Sequence, residues 1–479
     1  MKDSAPNDWT PVRLERRRQS SSPVAAGAPR VGFVSLGCPK NLVDGEVMLG
    51  ELRRAGYQVV ANPEDAETIV VNTCAFIESA KQESIDAILE MARFKEQGSA
   101  KRLVVTGCLS QRYDGDLRKE IPEIDATLGT NQVAGIVAAV RGGETRVDSD
   151  EPPSWIYDHA SPRLLSTPPY LAYVKISEGC DYTCSFCIIP TLRGLHRSRG
   201  ADDIEREVRS LAEAGVREVV LVAQDSTRYG RDLGQRDGLA LLLRRLGRID
   251  GIHWIRVMYA YPATVTDPIL DAIAEVDRVV KYIDIPLQHA SEAVLKRMRR
   301  PTGRGQLLGL VERMRARVPG VALRSTFIVG FPGETDEDFD ELVSFIEDAD
   351  FDRVGVFKYS DEEGTHSFDL SERVIPKVKE ARRRRLMSVQ RRLSLRRNRG
   401  LIGQRREVLI EGTHPDSDLL LQGRLASQAP DIDGSVIVAD GTARPGDFVS
   451  CEITEAHAYD LVGHLVATAR PVENPVGAC

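Results

Sequence analysis

Short apolar runs alternate with amphipathic stretches along most of the chain. Residues 31–36, 68–72 and 103–106 are such runs, separated by segments of helical period, and the alternation predicts strands of an open, largely parallel α/β sheet. Six more lie at 171–176, 218–223, 254–259, 279–285, 321–329 and 353–357. With helical patterns between them they predict a partial (β/α)6 barrel, whose site would lie where loops converge at the carboxyl ends of the strands. Five last runs, 407–411, 419–425, 435–439, 448–454 and 461–467, are broken by Gly, Asp and Pro. They fit a small five-stranded β-barrel of the OB-like kind.

The expected fold class is therefore α/β with a small C-terminal β-barrel, and the chain divides accordingly. Residues 1–30 carry Arg16-Arg17-Arg18 and Ser20-Ser21-Ser22-Pro23, a composition that cannot bury enough surface to order itself, and read as a disordered tail. An N-terminal α/β domain spans 31–141. Residues 142–169, with Gly142-Gly143, Pro152-Pro153, Pro162 and Pro168-Pro169, read as a linker lying outside the cleft between the domains. The barrel domain spans 170–399, the small barrel 400–470, and 471–479 is a second tail. Three folded units suit a length of 479 residues, of which 42% are hydrophobic and 28% charged. No run approaches the roughly 18 apolar residues of a membrane span and no signal-peptide core opens the chain, so a cytoplasmic protein is expected.

A net charge of −7 argues against a surface built wholly for nucleic acid. The exception is 377–399, where eleven basic residues stand against Glu380 alone. That stretch reads as a basic helix whose charges are solvated, with contact to ribosomal RNA as the other reading.

Eight cysteines in a reducing compartment point to metal, redox or packing roles rather than a disulfide framework. Cys180, Cys184 and Cys187 lie within eight residues, just past the first barrel run. A structural zinc site wants a fourth ligand, and only His196 follows at a suitable distance. Three thiolates can instead hold three irons of a cubane and leave the fourth open to a small chelating cofactor. Cys38, Cys74 and Cys108 are far apart in sequence, yet each sits just beyond a predicted strand, in Ser35-Leu36-Gly37-Cys38, Val71-Asn72-Thr73-Cys74 and Thr106-Gly107-Cys108. Carboxyl ends of parallel strands line one crevice, so these three can converge on a second cluster; the plainer reading is three separately buried cysteines. Cys451 and Cys479 have no companions and read as non-ligands.

CxxxCxxC with Phe186 before its last thiol resembles the radical S-adenosylmethionine superfamily. Two three-cysteine sets followed by a small β-barrel look like the methylthiotransferases, over about residues 31–470. Leu36-Gly37-Cys38-Pro39-Lys40-Asn41, Asn72-Thr73-Cys74-Ala75-Phe76-Ile77-Glu78-Ser79-Ala80-Lys81, Cys187-Ile188-Ile189-Pro190, Gln288-His289-Ala290-Ser291 and Tyr359-Ser360-Asp361-Glu362-Glu363-Gly364-Thr365 are similar to the branch that modifies an aspartate of small-subunit ribosomal protein S twelve. The resemblance implies two 4Fe-4S clusters and S-adenosylmethionine, used once as methyl donor and once as radical source. It assigns Cys180, Cys184 and Cys187 to the radical cluster and Cys38, Cys74 and Cys108 to an auxiliary cluster carrying the sulfur. It also implies a low-potential electron donor and a sulfur donor as partners, and a TRAM-type small barrel.

Cofactor contacts are expected from Phe186 and from Gly330 and Gly333 in the Gly330-Phe331-Pro332-Gly333-Glu334 turn. Asp225, Ser226, Gln288 and Arg324, taken as strand-exit residues, are the polar candidates, because Ala223-Gln224-Asp225-Ser226 lacks the superfamily's Gly-Gly-Glu. The alternatives are a tRNA adenosine methylthiotransferase and an iron–sulfur electron-transfer module without catalysis. Charge separates the tRNA branch from the branch that modifies a ribosomal protein: residues 401–470 hold five arginines against eleven carboxylates, a net −6, which favours a cationic protein over RNA.

Overall fold

The computed structural model describes residues 27–143, 145–147, 152–300 and 302–466. The tail expected at 471–479, and all but the last four residues of that expected at 1–30, lie outside the described residues.

Strands β1 (Arg30–Ser35), β2 (Gln58–Val60), β3 (Thr68–Thr73), β4 (Arg102–Gly107) and β5 (Ala126–Leu128) form one sheet in the order β2-β1-β3-β4-β5, parallel throughout. Every residue of β3 is buried, because helices cover both faces of a parallel sheet and its central strand must be apolar and β-branched on each side. The register sets Ser35 beside Asn72 and Asn72 beside Thr106, so β1, β3 and β4 end at one level.

Strand β6 (Leu171–Lys175) leads into a two-stranded ribbon, β7 (Ser177–Glu178) and β8 (Arg197–Ser198), that brackets the Cys180 to Cys187 loop. Strands β9 (Glu218–Val222), β10 (Trp254–Val257), β11 (Tyr282–Asp284), β12 (Ala322–Val329) and β13 (Arg353–Lys358) follow. They form two parallel sheets, β10-β9-β6 and β11-β12-β13, joined through the Ile255–Val279 bridge, an incomplete barrel. Alternation along β9 sorts its side chains: Val219 and Leu221 pack outward with helix residues such as Val208 and Leu243, whereas Val220 and Val222 face inward with Tyr173, Trp254, Met258 and Tyr282. The strand expected over 254–259 stops at Val257 because Tyr259 takes a left-handed φ of 63°.

Strands β14 (Arg405–His414), β15 (Ser417–Leu425), β16 (Val436–Val438), β17 (Phe448–Ala456) and β18 (Leu461–Leu465) close as the barrel β14-β15-β16-β18-β17. It docks on the amino ends of the larger barrel's strands. Glu218 accepts from Arg256 (2.9 Å) and pairs with Arg424, Tyr282 donates to Asp433 (2.8 Å) and Arg256 donates to the Ala426 carbonyl (2.9 Å). Cys451 is buried in the small barrel's core, and Cys479 lies outside the described residues.

The proline-rich 152–169 stretch is a packed spacer. Arg163 bridges Glu46 of the helix Pro39–Arg54 (2.7 Å) and Glu207 of the helix Ala201–Glu213 (2.6 Å), and Ser166 caps Glu46 (2.7 Å). The basic helix Pro376–Arg399 lies along the acidic helix Asp336–Ala349. Arg382, Arg385, Arg392, Arg396 and Arg397 pair with Glu334, Asp340, Glu347 and Asp350, so much of this stretch is neutralised within the protein. Among the described residues no helix is long and apolar enough to cross a membrane.

Candidate active site between two cysteine trios

The common level of β1, β3 and β4 delivers Cys38, Cys74 and Cys108 to one edge. Cys38 caps the helix Pro39–Arg54, and Cys108 opens the helix Cys108–Glu120. The glycines before them are required: at Gly37, φ is 90° and a Cβ would stand 2.8 Å from the Cys74 Cβ and 3.2 Å from its Sγ. At Gly107, φ is 99° and a Cβ would meet the Thr73 carbonyl at 2.6 Å. Asn41 and Asn72 tie the three strand ends, Asn72 donating to the Asn41 carbonyl (2.9 Å) and Asn41 to the Leu36 carbonyl (2.7 Å). Burial, then Cys108 and Cys38 nearby, pushes the Cys74 thiol up to about 12. Cys38, Cys74 and Cys108 are thus close enough to interact electrostatically at this edge.

The second trio is held by its own loop. The Cys180 amide donates to the Gly194 carbonyl (3.0 Å), that of Cys187 to Cys184 (3.1 Å) and that of Ser185 to Met298 (3.1 Å). Burial raises Cys187 to about 12, with Cys184 and Cys180 adding to it, and Cys180 to about 11. Tyr182 stacks on Tyr261, centroids 3.9 Å apart, and Arg300 lies 4.5 Å from the Tyr261 ring. His196, the one possible fourth zinc ligand, is engaged by Ser198 (3.3 Å) and Asp232 (3.6 Å). Among the described residues no three His, Cys, Asp or Glu side chains converge on a single ion. Three neighbouring thiols are the donor set that a thiolate-held cluster with one open iron requires.

A buried charge network runs from Cys108 to Glu178, two residues before Cys180. Lys175 reaches Asp44 and Glu178 (both 2.5 Å), while Arg193 reaches Asp44 (2.5 Å), Glu178 (3.2 Å), Asn41 (3.1 Å) and the Cys108 Sγ (3.4 Å). Burial alone would raise the Glu178 carboxyl, but Lys175 and Arg193 hold it below the ordinary carboxylate range. Lys40 lies 3.5 Å from the Tyr259 ring centroid. Burial would lower its ammonium; Tyr259, Cys38 and Glu178 outweigh that and keep it charged. Two cations therefore face the auxiliary thiols from a low-dielectric interface, which favours an anionic cluster.

The remaining candidates divide. Gln288 holds φ at 75°, and among the described residues its side-chain amide makes no hydrogen bond, leaving it free for a ligand. Phe186 packs half-buried against the barrel core. Asp225 is saturated by Tyr182 (2.9 Å), the Thr227 amide (2.9 Å) and Thr227 Oγ1 (2.6 Å); it positions Tyr182 instead. Ser226 donates to the Met258 carbonyl (2.6 Å). Arg324 is not a strand-exit residue. It is the third residue of β12 and pairs with Asp284 (2.8 Å) and, in the small barrel, with Asp433 (3.7 Å).

In the glycine turn the Gly330 amide is taken by Glu334 (2.6 Å), and Gly333 donates to the Glu372 carbonyl (3.0 Å). Among the described residues, buried Gln224 Oε1 and Ser177 Oγ have no hydrogen-bond partner. They stand past the ends of β9 and β6, where a polar cofactor would satisfy them, so the residues fit both clusters and the cofactor. Sequence reading missed Lys40, Asp44, Lys175, Glu178, Arg193 and the tyrosine pair; Lys40 and Asn41 directly after Cys38-Pro39 were the available signal.

His289, next to Gln288, accepts from the Ser291 amide (3.0 Å) and is fully buried, with its pKa pushed down to about 3 by burial. The unfolded imidazole titrates at about 6.5, so unfolding takes up a proton below that pH; its stability contribution is complete above 6.5 and falls as pH drops toward 3. Glu334, 3.8 Å away, is pushed the other way by burial, up to about 7. The informative quantity is therefore wild type minus His289→Asn in urea unfolding, expected to shrink by about 2 kcal/mol between pH 7 and pH 5.

Three family models match the chain: the uncharacterized protein family UPF0004 over residues 30–129, the radical SAM superfamily over 174–346 and the TRAM domain over 402–466. Among solved structures, the radical S-adenosylmethionine methyltransferase TsrM from Kitasatospora setae matches with a TM-score of 0.53 at 16% identity, covering 69% of this chain and 73% of that one. The family matches and the fold together define a radical S-adenosylmethionine protein with an added N-terminal α/β domain and a C-terminal TRAM domain. Among curated relatives, the ribosomal protein uS12 methylthiotransferase RimO of Solibacter usitatus is 49% identical, covering 92% of this chain and 96% of its own length. The same enzyme of Myxococcus xanthus is 51% identical, covering 92% of each. The chain belongs to the RimO family of uS12 methylthiotransferases.

Proposed function

We propose that the protein inserts a methylthio group at the β-carbon of an aspartate in ribosomal protein uS12. Cys180, Cys184 and Cys187 would hold the radical cluster and Cys38, Cys74 and Cys108 the auxiliary one. The observation that carries this reading is the Arg193 bridge: one buried side chain touches the auxiliary thiol Cys108 and the Glu178 that ends β7, three elements of two domains within hydrogen-bond reach. When bound, the clusters and two S-adenosylmethionine molecules supply the electron, the hydrogen-abstracting radical, the sulfur and the methyl group. The chain fixes their separation, excludes water by burial and places Lys40 and Arg193 beside the thiolates. Tyr182 and Tyr261 wall the radical trio, and Gln288, Gln224 and Ser177 offer the free polar atoms. A low-potential electron donor and a sulfur donor complete the partner set.

The small barrel supports a protein substrate, though not by its whole charge. Glu411 pairs with Arg424 (2.7 Å) and Asp433 faces Tyr282, both within the interdomain contact. Asp416, Asp418, Asp440, Asp447 and Glu455 remain exposed, suited to a basic ribosomal protein, while the internal pairing of the basic helix makes RNA contact secondary.

The test is anaerobic reconstitution followed by incubation with uS12 and, separately, with tRNA. Wild type should add the methylthio mass to uS12 and release 5′-deoxyadenosine. Cys38→Ala and Cys180→Ala should each lose about half the iron and all product. Modification of tRNA alone, or no deoxyadenosine, overturns the proposal.

A further inference from the structure

The loop 359–367, which leaves the last barrel strand, touches both thiol loops. Its Glu362, 2% exposed, accepts from Arg112 Nη1 (2.9 Å) and Lys81 (3.1 Å), and its other oxygen accepts from Ser360 (2.7 Å). Arg112 does more than pair. The same Nη1 donates to the carbonyl of Ala75 (3.1 Å), the residue after Cys74, and Nη2 donates to the Glu363 carbonyl (2.6 Å). Ser360 Oγ also accepts from the Glu78 amide (3.2 Å), at the start of the helix Glu78–Gln97.

The loop's far end turns to the other trio. The Ser367 amide donates to the carbonyl of Ser185 (2.7 Å), which lies between Cys184 and Cys187. Thr365 folds the loop on itself by donating through Oγ1 to the Glu362 carbonyl (2.7 Å), and Tyr359 donates to Ser367 (2.8 Å). Six residues, 362 to 367, thus connect a carbonyl beside an auxiliary thiol to a carbonyl inside the radical loop. Beside β6, Lys175 and Arg193 make a separate interdomain clasp.

We infer that loop 359–367 is a spacer between the two cluster loops and that Glu362 and Arg112 are positioning residues that fix the auxiliary trio relative to the radical trio. This rests on the proposed cluster assignments and adds to them a mechanical coupling. A radical formed at a fixed place is useful only if the sulfur is held at bonding distance from the same carbon, and a small misplacement costs productive turnover without stopping radical formation.

Glu362→Gln keeps shape and removes the charge. In metal-free protein, hydrogen exchange should accelerate about tenfold in the segments 74–84 and 359–367, with the sheet β1-β3-β4 unchanged. In reconstituted protein, iron content and deoxyadenosine release without uS12 should match wild type, while deoxyadenosine consumed per methylthio group rises several-fold; Glu362→Asp should restore part of the coupling. Unchanged exchange, or product and deoxyadenosine falling in proportion, overturns the inference. If Glu362→Gln does not fold, Arg112→Lys, which keeps the charge and loses the fork, is read by the same two measures. A wild type that makes no methylthio product refutes the function, whereas the exchange measurement tests the spacer without any cluster.

Discussion

Arg193→Met is expected to lower stability by about 3–5 kcal/mol, the cost of stripping one partner from a buried ionic group. Arg193 is 3% exposed and serves Asp44, Glu178, Asn41 and Cys108 at once. Its loss leaves Lys175 as the one cation in contact with two buried carboxylates among the described residues, and one ammonium cannot replace a guanidinium fork spread over four acceptors. Arg193→Lys should recover only part of the loss, because the charge stays and the geometry does not. Urea unfolding followed by circular dichroism reads the stability. Iron retained after a chelator challenge reads the second consequence, a weaker auxiliary site in both variants with the radical site retained. Equal midpoints for wild type and Arg193→Met would mean the network carries no stability.

Glu218→Gln should destabilise the protein by a similar amount, about 3–5 kcal/mol, through a different contact. Glu218 is fully buried between Arg256 and Arg424, whose own side chains are 0% and 2% exposed. The two guanidiniums hold its carboxyl below the ordinary range against the burial that would raise it. With the carboxylate gone, two buried cations face each other across the junction of the small and large barrels. Trp254, edge-on to Phe448 at 4.8 Å, lies in that junction, and its emission should shift at lower urea than circular dichroism does if the small barrel detaches first. Replacing Glu218, Arg256, Arg424 and the second partner of Arg424, Glu411, together with apolar residues of similar volume should restore most of the stability, because the cost lies in unpaired charge rather than in lost contact. A quadruple variant as weak as Glu218→Gln would contradict that.

Strands with a strong apolar signature were readable in sequence: β1, β3, β4, the six barrel strands and the five of the small barrel begin and end within a few residues of their runs. Val279–Ile285 yielded the largest contraction, to Tyr282–Asp284 with an isolated bridge at Val279. The edge strands β2 and β5 span three residues each, too short for any periodicity to register. The thiol trios stand out in the sequence on different grounds, one by its spacing and the other by its repeated position after a strand. Their surroundings do not. Arg193 meets Asp44 across 149 residues and Lys175 meets it across 131, and nothing local in either segment marks a partner that only domain docking supplies. Arg324 failed for the converse reason: its position in a strand was evident, but which end of the barrel it occupied depended on a small barrel that covers the amino ends.

That cover has a further consequence for how a polypeptide can reach the radical. With the small barrel set beneath the amino ends of β6, β9, β10 and β11 through Tyr173, Glu218, Arg256 and Tyr282, the larger barrel resembles a thimble rather than a ring. A chain cannot be threaded through it. The target aspartate has to come from the other mouth, over the carboxyl ends of the strands, so a bulky tag on the small barrel should leave substrate entry undisturbed.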